Sequence, residues 1–327
     1  MPTLTRRAAL VAPLVALPWA MPLPRPSLAQ PAWPSRPIRI LVAWPAGGST
    51  DSVMRLLAAP MQAVLGQPVV IENRAGATGS IGAAAAAQAA PDGYTVLGDA
   101  SSQAANPSLL KGLAFDYATA FAPVTQLCVA PALLLVRAED GPPDLAALLA
   151  RMRQGGGTYS SSGIGAAVHL AMAALLRQAG VAATHVPYRG SPQQVQAVLA
   201  GEVLTTFCTV PAAAGLVRDG RLRALAVSSA RRLPAFPEVP TVAEQGFPGY
   251  AVTEWLALFV PAGTPAPVID KLAEAAKAGL AEPAVQARLE LLGMAAAAAG
   301  PAALGAFVAE QRVKLAEVIR AEGIRLE

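Results

Sequence analysis

Three stretches of this sequence share one design: Pro45-Ala46-Gly47-Gly48-Ser49-Thr50-Asp51, Asn73-Arg74-Ala75-Gly76-Ala77-Thr78-Gly79-Ser80 and Ser160-Ser161-Ser162-Gly163-Ile164-Gly165-Ala166. In each, strand-forming residues run into a Gly/Ser/Thr-rich turn that opens an amphipathic run, the pattern of strand, turn and helix. Such turns leave backbone N–H groups unpaired at a helix N-terminus, where the macrodipole favours negative charge. The chemistry on offer is capture of an anion without covalent change. In any single turn, Ser49, Thr50 or Asp51 could instead cap its own helix. The recurrence in both halves of the chain favours a ligand, because open α/β sheets bind ligands beyond the carboxyl ends of their strands. None of the turns has the lysine of a GxxxxGK[ST] loop, which argues against a nucleotide.

Covalent chemistry has little material. The two histidines are His169, at the start of an expected helix, and His185, in an expected strand. Ser160, Ser161 or Ser162 with His169 would make a nucleophile and base, so the alternative reading is a secreted serine hydrolase using His169. No G-x-S-x-G elbow, H-E-x-x-H or C-x-x-C accompanies them, and a histidine at a helix start more often caps or packs. The expectation is a protein that is not an enzyme, with no catalytic residue, metal or cofactor. Cys128 and Cys208 lack metal-ligand spacing and lie in apolar, strand-like segments; the sequence leaves open whether they form a disulfide. Arg218, Arg221, Arg223, Arg231 and Arg232 cluster without interleaved aromatic residues and around Asp219, a solvated face rather than a nucleic-acid site. Arg74 and Arg189 sit in Gly-rich turns and are candidates for contacts to an anion or between lobes.

From Pro34 onward, short β-branched runs alternate with longer alanine- and leucine-rich amphipathic ones, the pattern of an α/β protein with two mainly parallel sheets. Strands are expected at 38–43, 67–72 and 94–97, with helices at 51–65 and 81–90 between them. The apolar run Val124 to Val136 is interrupted at Pro131, which reads as the passage from one domain to the next. The second unit alternates similarly through Leu222–Val227, and a proline-rich surface linker is expected from Leu233 to Pro248. Trp255–Val260 should then recross into the first domain, followed by helices near 267–280, 283–292 and 301–319. The expected division is 1–29 as a signal peptide, 30–130 and 253–327 as the two parts of domain 1, and 131–252 as domain 2. Two lobes joined by two crossings imply a ligand cleft between them.

Composition excludes several classes. With 54% hydrophobic and 14% charged residues among 327, and mean hydropathy of +0.44, disorder is ruled out. A long apolar run occurs at the N-terminus, where Arg6-Arg7 precede an uncharged stretch from Ala8 to Pro24 and then Ser27-Leu28-Ala29. This reads as an export signal cleaved after Ala29, compatible with general secretory or twin-arginine export. Its loss removes three arginines, so 25 basic residues become 22 against 21 acidic ones. A periplasmic, near-neutral, monomeric protein is expected.

The residues also carry a resemblance. Trp33-Pro34-Ser35-Arg36-Pro37-Ile38, Pro45 through Asp51, Gln67 through Arg74, Ala90-Pro91-Asp92-Gly93-Tyr94, His185-Val186-Pro187-Tyr188-Arg189-Gly190, Leu222 through Val227 and Pro237 through Glu244 together resemble the Bug family, the periplasmic solute receptors of tripartite tricarboxylate transporters. The resemblance implies a two-lobed periplasmic-binding-protein fold of type II that closes on a small organic carboxylate. It implies membrane transporter subunits or a sensor protein as partner. Carried over, the ligand site comprises Ala46, Gly47, Gly48, Ser49, Thr50 and Asp51 from one lobe, and Ser161, Ser162, Gly163, Gly165, Ala166 and Ala167 from the other. Asn106 matches an Asn-Pro position beside the cleft, and Trp255 lies where the second crossing reaches it. The second-lobe turn departs from the family's Ser-Gly-Asn-Gly-Ser-Ser-Ser-His, since Ile164, Ala166, Ala167 and Val168 replace polar residues. Cys208 stands where amino-acid receptors of the family carry an aspartate. A neutral thiol cannot meet a buried ammonium, so the departure implies a carboxylate without an amino group and with a body less polar than citrate.

Overall fold

The computed structural model describes residues 33–155, 157–321 and 323–324; the leader read at 1–29 lies outside the described residues. The chain runs β1 (Ile38–Val42), α1 (Ser49–Leu65), β2 (Val69–Asn73), α2 (Ser80–Ala87), β3 (Thr95–Asp99), α3 (Ser102–Leu109) and β4 (Phe121–Ala130). It continues through β5 (Ala132–Arg137), α4 (Leu145–Arg153), β6 (Thr158–Ser161), α5 (Ala167–Ala179), β7 (Thr184–Pro187), α6 (Ser191–Leu199), β8 (Thr205–Thr209), α7 (Val210–Arg218) and β9 (Leu222–Val227). It returns through β10 (Glu254–Pro261), α8 (Ala266–Ala281), α9 (Pro283–Leu291), β11 (Ala295–Ala299) and α10 (Pro301–Ala321). No described helix is long and apolar enough to cross a membrane.

Two sheets define two lobes, a six-stranded one in the order β11-β4-β10-β3-β1-β2 and a five-stranded one in the order β7-β6-β8-β5-β9. The expectation of mainly parallel sheets is corrected: both are mixed. Parallel pairing is confined to β2-β1-β3 and β7-β6-β8, while β10 and β11 pair antiparallel with their neighbours, as β5 does with β8 and β9. The crossings are the physical reason. The chain leaves the first sheet along β4, passes Pro131 into β5, and comes back along β10, with Glu254 opposite Ala130. A strand that leaves a sheet and its neighbour that returns must run in opposite directions.

The strands read as uninterrupted apolar runs because both faces are covered. In β5, Leu134 and Val136 join the large core cluster that also holds Leu148, Met172 and Phe207, whereas Leu133 and Leu135 pack with Val198, Cys208 and Val210. The segment read as a surface linker is also corrected, because Leu233, Phe236, Val239 and Val242 are buried; the prolines shape a packed wrap. Three elements escaped the sequence reading. The five alanines of β11 carry helix propensity, which pairing with β4 overrides, and α3 and α7 each contain a proline.

Helix α2 seats directly on β1 through Gly82, where a Cβ would stand 2.8 Å from both the Ala43 Cα and the Arg74 carbonyl. Backbone atoms cannot yield as a side chain can. Gly82→Ala is therefore expected to destabilise the protein by about 1–3 kcal/mol despite its better helix propensity. Gly305→Ala in α10, whose Cβ would meet only Pro123 at an ordinary 3.5 Å, should stabilise by up to about 1 kcal/mol. Urea denaturation of the two variants checks the opposite signs.

Candidate functional site

In the first lobe, β1 ends in a turn at Trp44–Gly48 that opens α1. The N-cap is Gly48 in extended conformation, with no side-chain cap, so the self-capping alternative does not apply. Ser49, Thr50 and Asp51 are buried, and their backbone N–H groups have no acceptor among the described residues, the first hydrogen bond beyond the turn being Ser52 N–H to the Gly48 carbonyl at 3.0 Å. Asp51 holds the turn. Its carboxylate accepts the Gly47 N–H at 3.0 Å, Arg55 Nε at 2.9 Å and Asn73 Nδ2 at 2.9 Å. Burial pushes its pKa upward, but these hydrogen bonds and the Arg55 charge prevail and hold it below the ordinary value. Asp51 is thus committed to protein partners.

In the second lobe, β6 runs through 162–166 into α5, again without a side-chain cap, and the N–H groups of Ala167 and Val168 are unpaired among the described residues. The turn is held by histidines. Gly165 N–H donates to His169 Nδ1 at 2.9 Å, so this predicted donor is already engaged. Ser161 Oγ lies 2.7 Å from His185 Nε2 and accepts the Gly163 N–H at 3.2 Å. The imidazoles stack at 3.9 Å, with Tyr159 against His185 at 4.9 Å. Burial, and secondarily the charge of its neighbour, lowers the His169 pKa to about 3, and burial lowers that of His185 to about 4. Both rings are neutral at pH 7. The hydrolase alternative therefore lacks its pairing: the histidine beside a serine is His185, and among the described residues no carboxylate orients it.

The turn after β2 is the most contorted, with positive φ at Gly76 (135°), Ala77 (45°), Thr78 (53°) and Gly79 (86°). Left-handed non-glycine residues cost about 1–3 kcal/mol each and persist where surrounding structure holds them. Asn106 does so here, its Nδ2 donating to the Thr78 carbonyl at 3.0 Å and to Tyr117 Oη at 2.8 Å. Thr78 Oγ1 reaches across to the Ile164 carbonyl of the other lobe at 3.3 Å. The lobes also meet where Gly190 faces Pro45 and Gly165 faces Leu109, both too closely for a Cβ. A cavity of about 560 Å³ lies along this seam, lined from one lobe by Trp44, Pro45 and residues 75–79 and from the other by 162–164 and 187–190. This is within the size range of ligand sites.

Of the residues expected from sequence, Ser162 and Gly163 line this cavity. Ala46, Gly47 and Gly48 form the turn beside it, Gly47 standing near Pro192. Ser49, Thr50, Asp51, Ser161, Ala166 and Ala167 are buried behind the two turns, and Asn106 acts on Thr78 from a fully buried position. Cys208 is buried in β8 with its pKa raised to about 12, chiefly by burial. Trp255 packs edge-on against Phe307 in the core, with Nε1 unpaired.

Several residues were missed. Thr78 was within reach, since its turn has the same design as the other two. Arg189, already noted for its Gly-rich turn, is the charged residue among those lining the cavity. Glu254 was not signalled as a site residue, although an acidic residue at the head of an apolar strand is such a signal. Its Oε2 accepts the Ser49 hydroxyl at 2.6 Å, and it acts electrostatically on Cys208. Burial, followed by the charge of Asp99, raises the Glu254 pKa to about 7. Asp99 is raised to about 6 by burial, against hydrogen bonds from Ser102, the Ala100 N–H, Trp44 and Gln103.

Residues 53–324 match the model of the tripartite tricarboxylate transporter family receptor. The chain belongs to this receptor family. Its fold is close to that of the periplasmic binding protein BugD, at a TM-score of 0.85 and 34% identity over 90% of this chain and 100% of the other. A structure of R. palustris Rpa4515 with adipate aligns at a TM-score of 0.86 and 32% identity over 90% and 100% of the two chains. MatC from Rhodopseudomonas palustris with bound malate aligns at 0.82 and 33% over 88% and 100%. In this chain the turn of one lobe is tied down by neutral histidines and that of the other by an aspartate.

The histidine stack makes a testable contribution to stability. His169 is neutral in the folded state down to pH about 3 and protonates near 6.5 when unfolded, so the unfolded state binds more protons between those values and stability falls with decreasing pH. Replacing His169 by phenylalanine removes that term. The stability difference between wild type and His169→Phe should shrink from pH 7 to pH 4, by up to about 1.4 kcal/mol per pH unit; a constant difference in denaturation midpoints would count against this account.

Proposed function

We propose that this protein is an exported receptor that binds a small organic carboxylate between its lobes and delivers it to a tripartite transporter. The supporting observation is the pair of uncapped helix N-termini, α1 and α5, whose unpaired N–H groups stand at turns beside a cavity lined from both lobes. Such groups, once buried, require an acceptor, and an anion satisfies both the hydrogen bonds and the helix dipoles. The ligand carboxylate is assigned to the N–H groups of residues 49–51 and 167–168. Ser162, Gly163 and the 46–48 turn shape the walls. Asp51, Ser161, Gly165 and Asn106 position the turns, and Cys208 and Trp255 form the packed background. Arg189 is placed to meet a second acidic group, as in adipate or malate, the acids named for two structural relatives. The protein is exported with its leader cleaved after Ala29, the mature protein is a monomer without catalytic activity, and its lobes are 30–130 with 253–327, and 131–252.

Adipate or malate at 100 times its dissociation constant should raise stability by about 2.7 kcal/mol by mass action, read as an increase in melting temperature. Ala167→Pro is the sharp variant. Position 167 is the first of its helix and the preceding residue is extended at ψ 151°, so proline fits there and removes one N–H. Affinity should fall roughly tenfold or more, the loss of a hydrogen bond to a charged group, with the fold retained. Unchanged affinity for an acid that the wild type binds would move the site elsewhere.

A further inference from the structure

The carboxylate of Glu254 and the proposed anion cradle are served by two parts of one residue. Ser49 donates its hydroxyl to Glu254 Oε2 at 2.6 Å, while its backbone N–H is the first of the three unpaired donors opening α1. The other oxygen, Oε1, has no hydrogen-bond partner among the described residues and is not among the fully enclosed unpaired atoms. A ligand carboxylate seated on those N–H groups therefore comes to lie beside a protein carboxylate.

Among the described residues, the groups acting on Glu254 offer no positive charge to separate the two. The groups facing Glu254 are Ser49 from α1, Asp99 from β3, Cys128 from β4 and Cys208 from β8. Both thiols are pushed up by burial and stay neutral at pH 7. Asp99 adds negative charge. Helix α2, which also packs against β10, brings no ionisable side chain. Two carboxylates at close quarters share a proton rather than both remain charged. Protonated Glu254 becomes a donor: Oε2 keeps the Ser49 hydroxyl, and the hydroxyl at Oε1 is free to hydrogen-bond a ligand oxygen.

On the receptor reading above, we propose that Glu254 is a specificity-determining residue of the ligand site, taking one proton from solvent when a carboxylate binds and donating it as a hydrogen bond to that carboxylate. The protein thus selects an acid anion together with a proton. A ligand whose ammonium faced Glu254 would favour the opposite state, with Glu254 ionised.

The experiment is calorimetric titration of the full-length mature protein with adipate and with malate from pH 6 to 9, in buffers of different ionisation enthalpy. The free protein holds Glu254 about half protonated near pH 7. Above that pH, uptake should approach one proton per ligand, and affinity should fall about tenfold per pH unit. Glu254→Gln, which keeps an acceptor for Ser49 and supplies a permanent donor, should bind without proton uptake and with flat affinity from pH 7 to 9. Flat wild-type affinity without proton uptake overturns the proposal and leaves the receptor reading intact. Affinity that rises with pH overturns it in favour of an ionised Glu254. Persistence of the uptake in Glu254→Gln overturns the assignment to this residue. Failure of the wild type to bind either acid at any pH removes the receptor reading in this form, and the proposal with it. Should that variant not fold, Asp99→Asn separates the two neighbouring buried carboxyls: uptake that persists in it supports Glu254, and uptake that it abolishes overturns the assignment.

Discussion

Buried backbone N–H groups without acceptors are the constraint around which this molecule is organised. A helix start in solvent satisfies its first amides with water, and a buried one uses a capping side chain. Here α1 and α5 begin in buried positions with Gly48 and Ala166 as N-caps and no side-chain acceptor. The surrounding polar residues, instead of quenching those donors, fix the turns that hold them. Asp51 ties Gly47, His169 ties Gly165, Ser161 ties Gly163 and Asn106 ties Thr78. Family membership gives this arrangement its context, since receptors of this kind must hold an anion firmly without reacting with it.

The same economy of charge governs the interior. Asp51 is held below its ordinary pKa by Arg55 and its hydrogen bonds against the pull of burial, whereas Asp99 and Glu254 have no cation to offset burial and are raised. A receptor for anions would lose affinity from fixed negative charge near its site. Of the three, Asp51 is paired with Arg55, and Asp99 and Glu254 are shifted toward their protonated forms. The histidines follow the complementary rule: both are held neutral, His169 accepts the Gly165 N–H, and the two rings stack on each other.

Much of the fold was legible because its signals are local. Alternating β-branched and alanine-rich runs carry the α/β class, Pro131 marks the crossing, and the Gly/Ser/Thr turns mark helix starts. The signals failed where tertiary pairing outweighs propensity, as in the polyalanine strand β11, and where apolar residues lie among prolines, as in the buried wrap through Leu233, Phe236, Val239 and Val242. Strand direction also escaped, because a run of apolar residues reads alike in parallel and antiparallel sheets. Within the turns, the partners of individual donors escaped as well: Gly165, read into the ligand site by resemblance, gives its N–H to His169.

The sequence by itself determined the class of fold, the family and the chemical character of the site, since glycine-rich turns before helices commit the backbone to offering N–H groups wherever they fold. Only the tertiary structure decided which of those groups stay free, and what stands beside them. Ser49 and Glu254 are 205 residues apart along the chain, and Ser161 and His185 come from different strands. Cys208 seemed to empty the site of carboxylate, and the returning crossing places Glu254 close enough to act on it. Local pattern encodes donors and acceptors; the packing of distant segments determines which are already satisfied and which remain for a ligand.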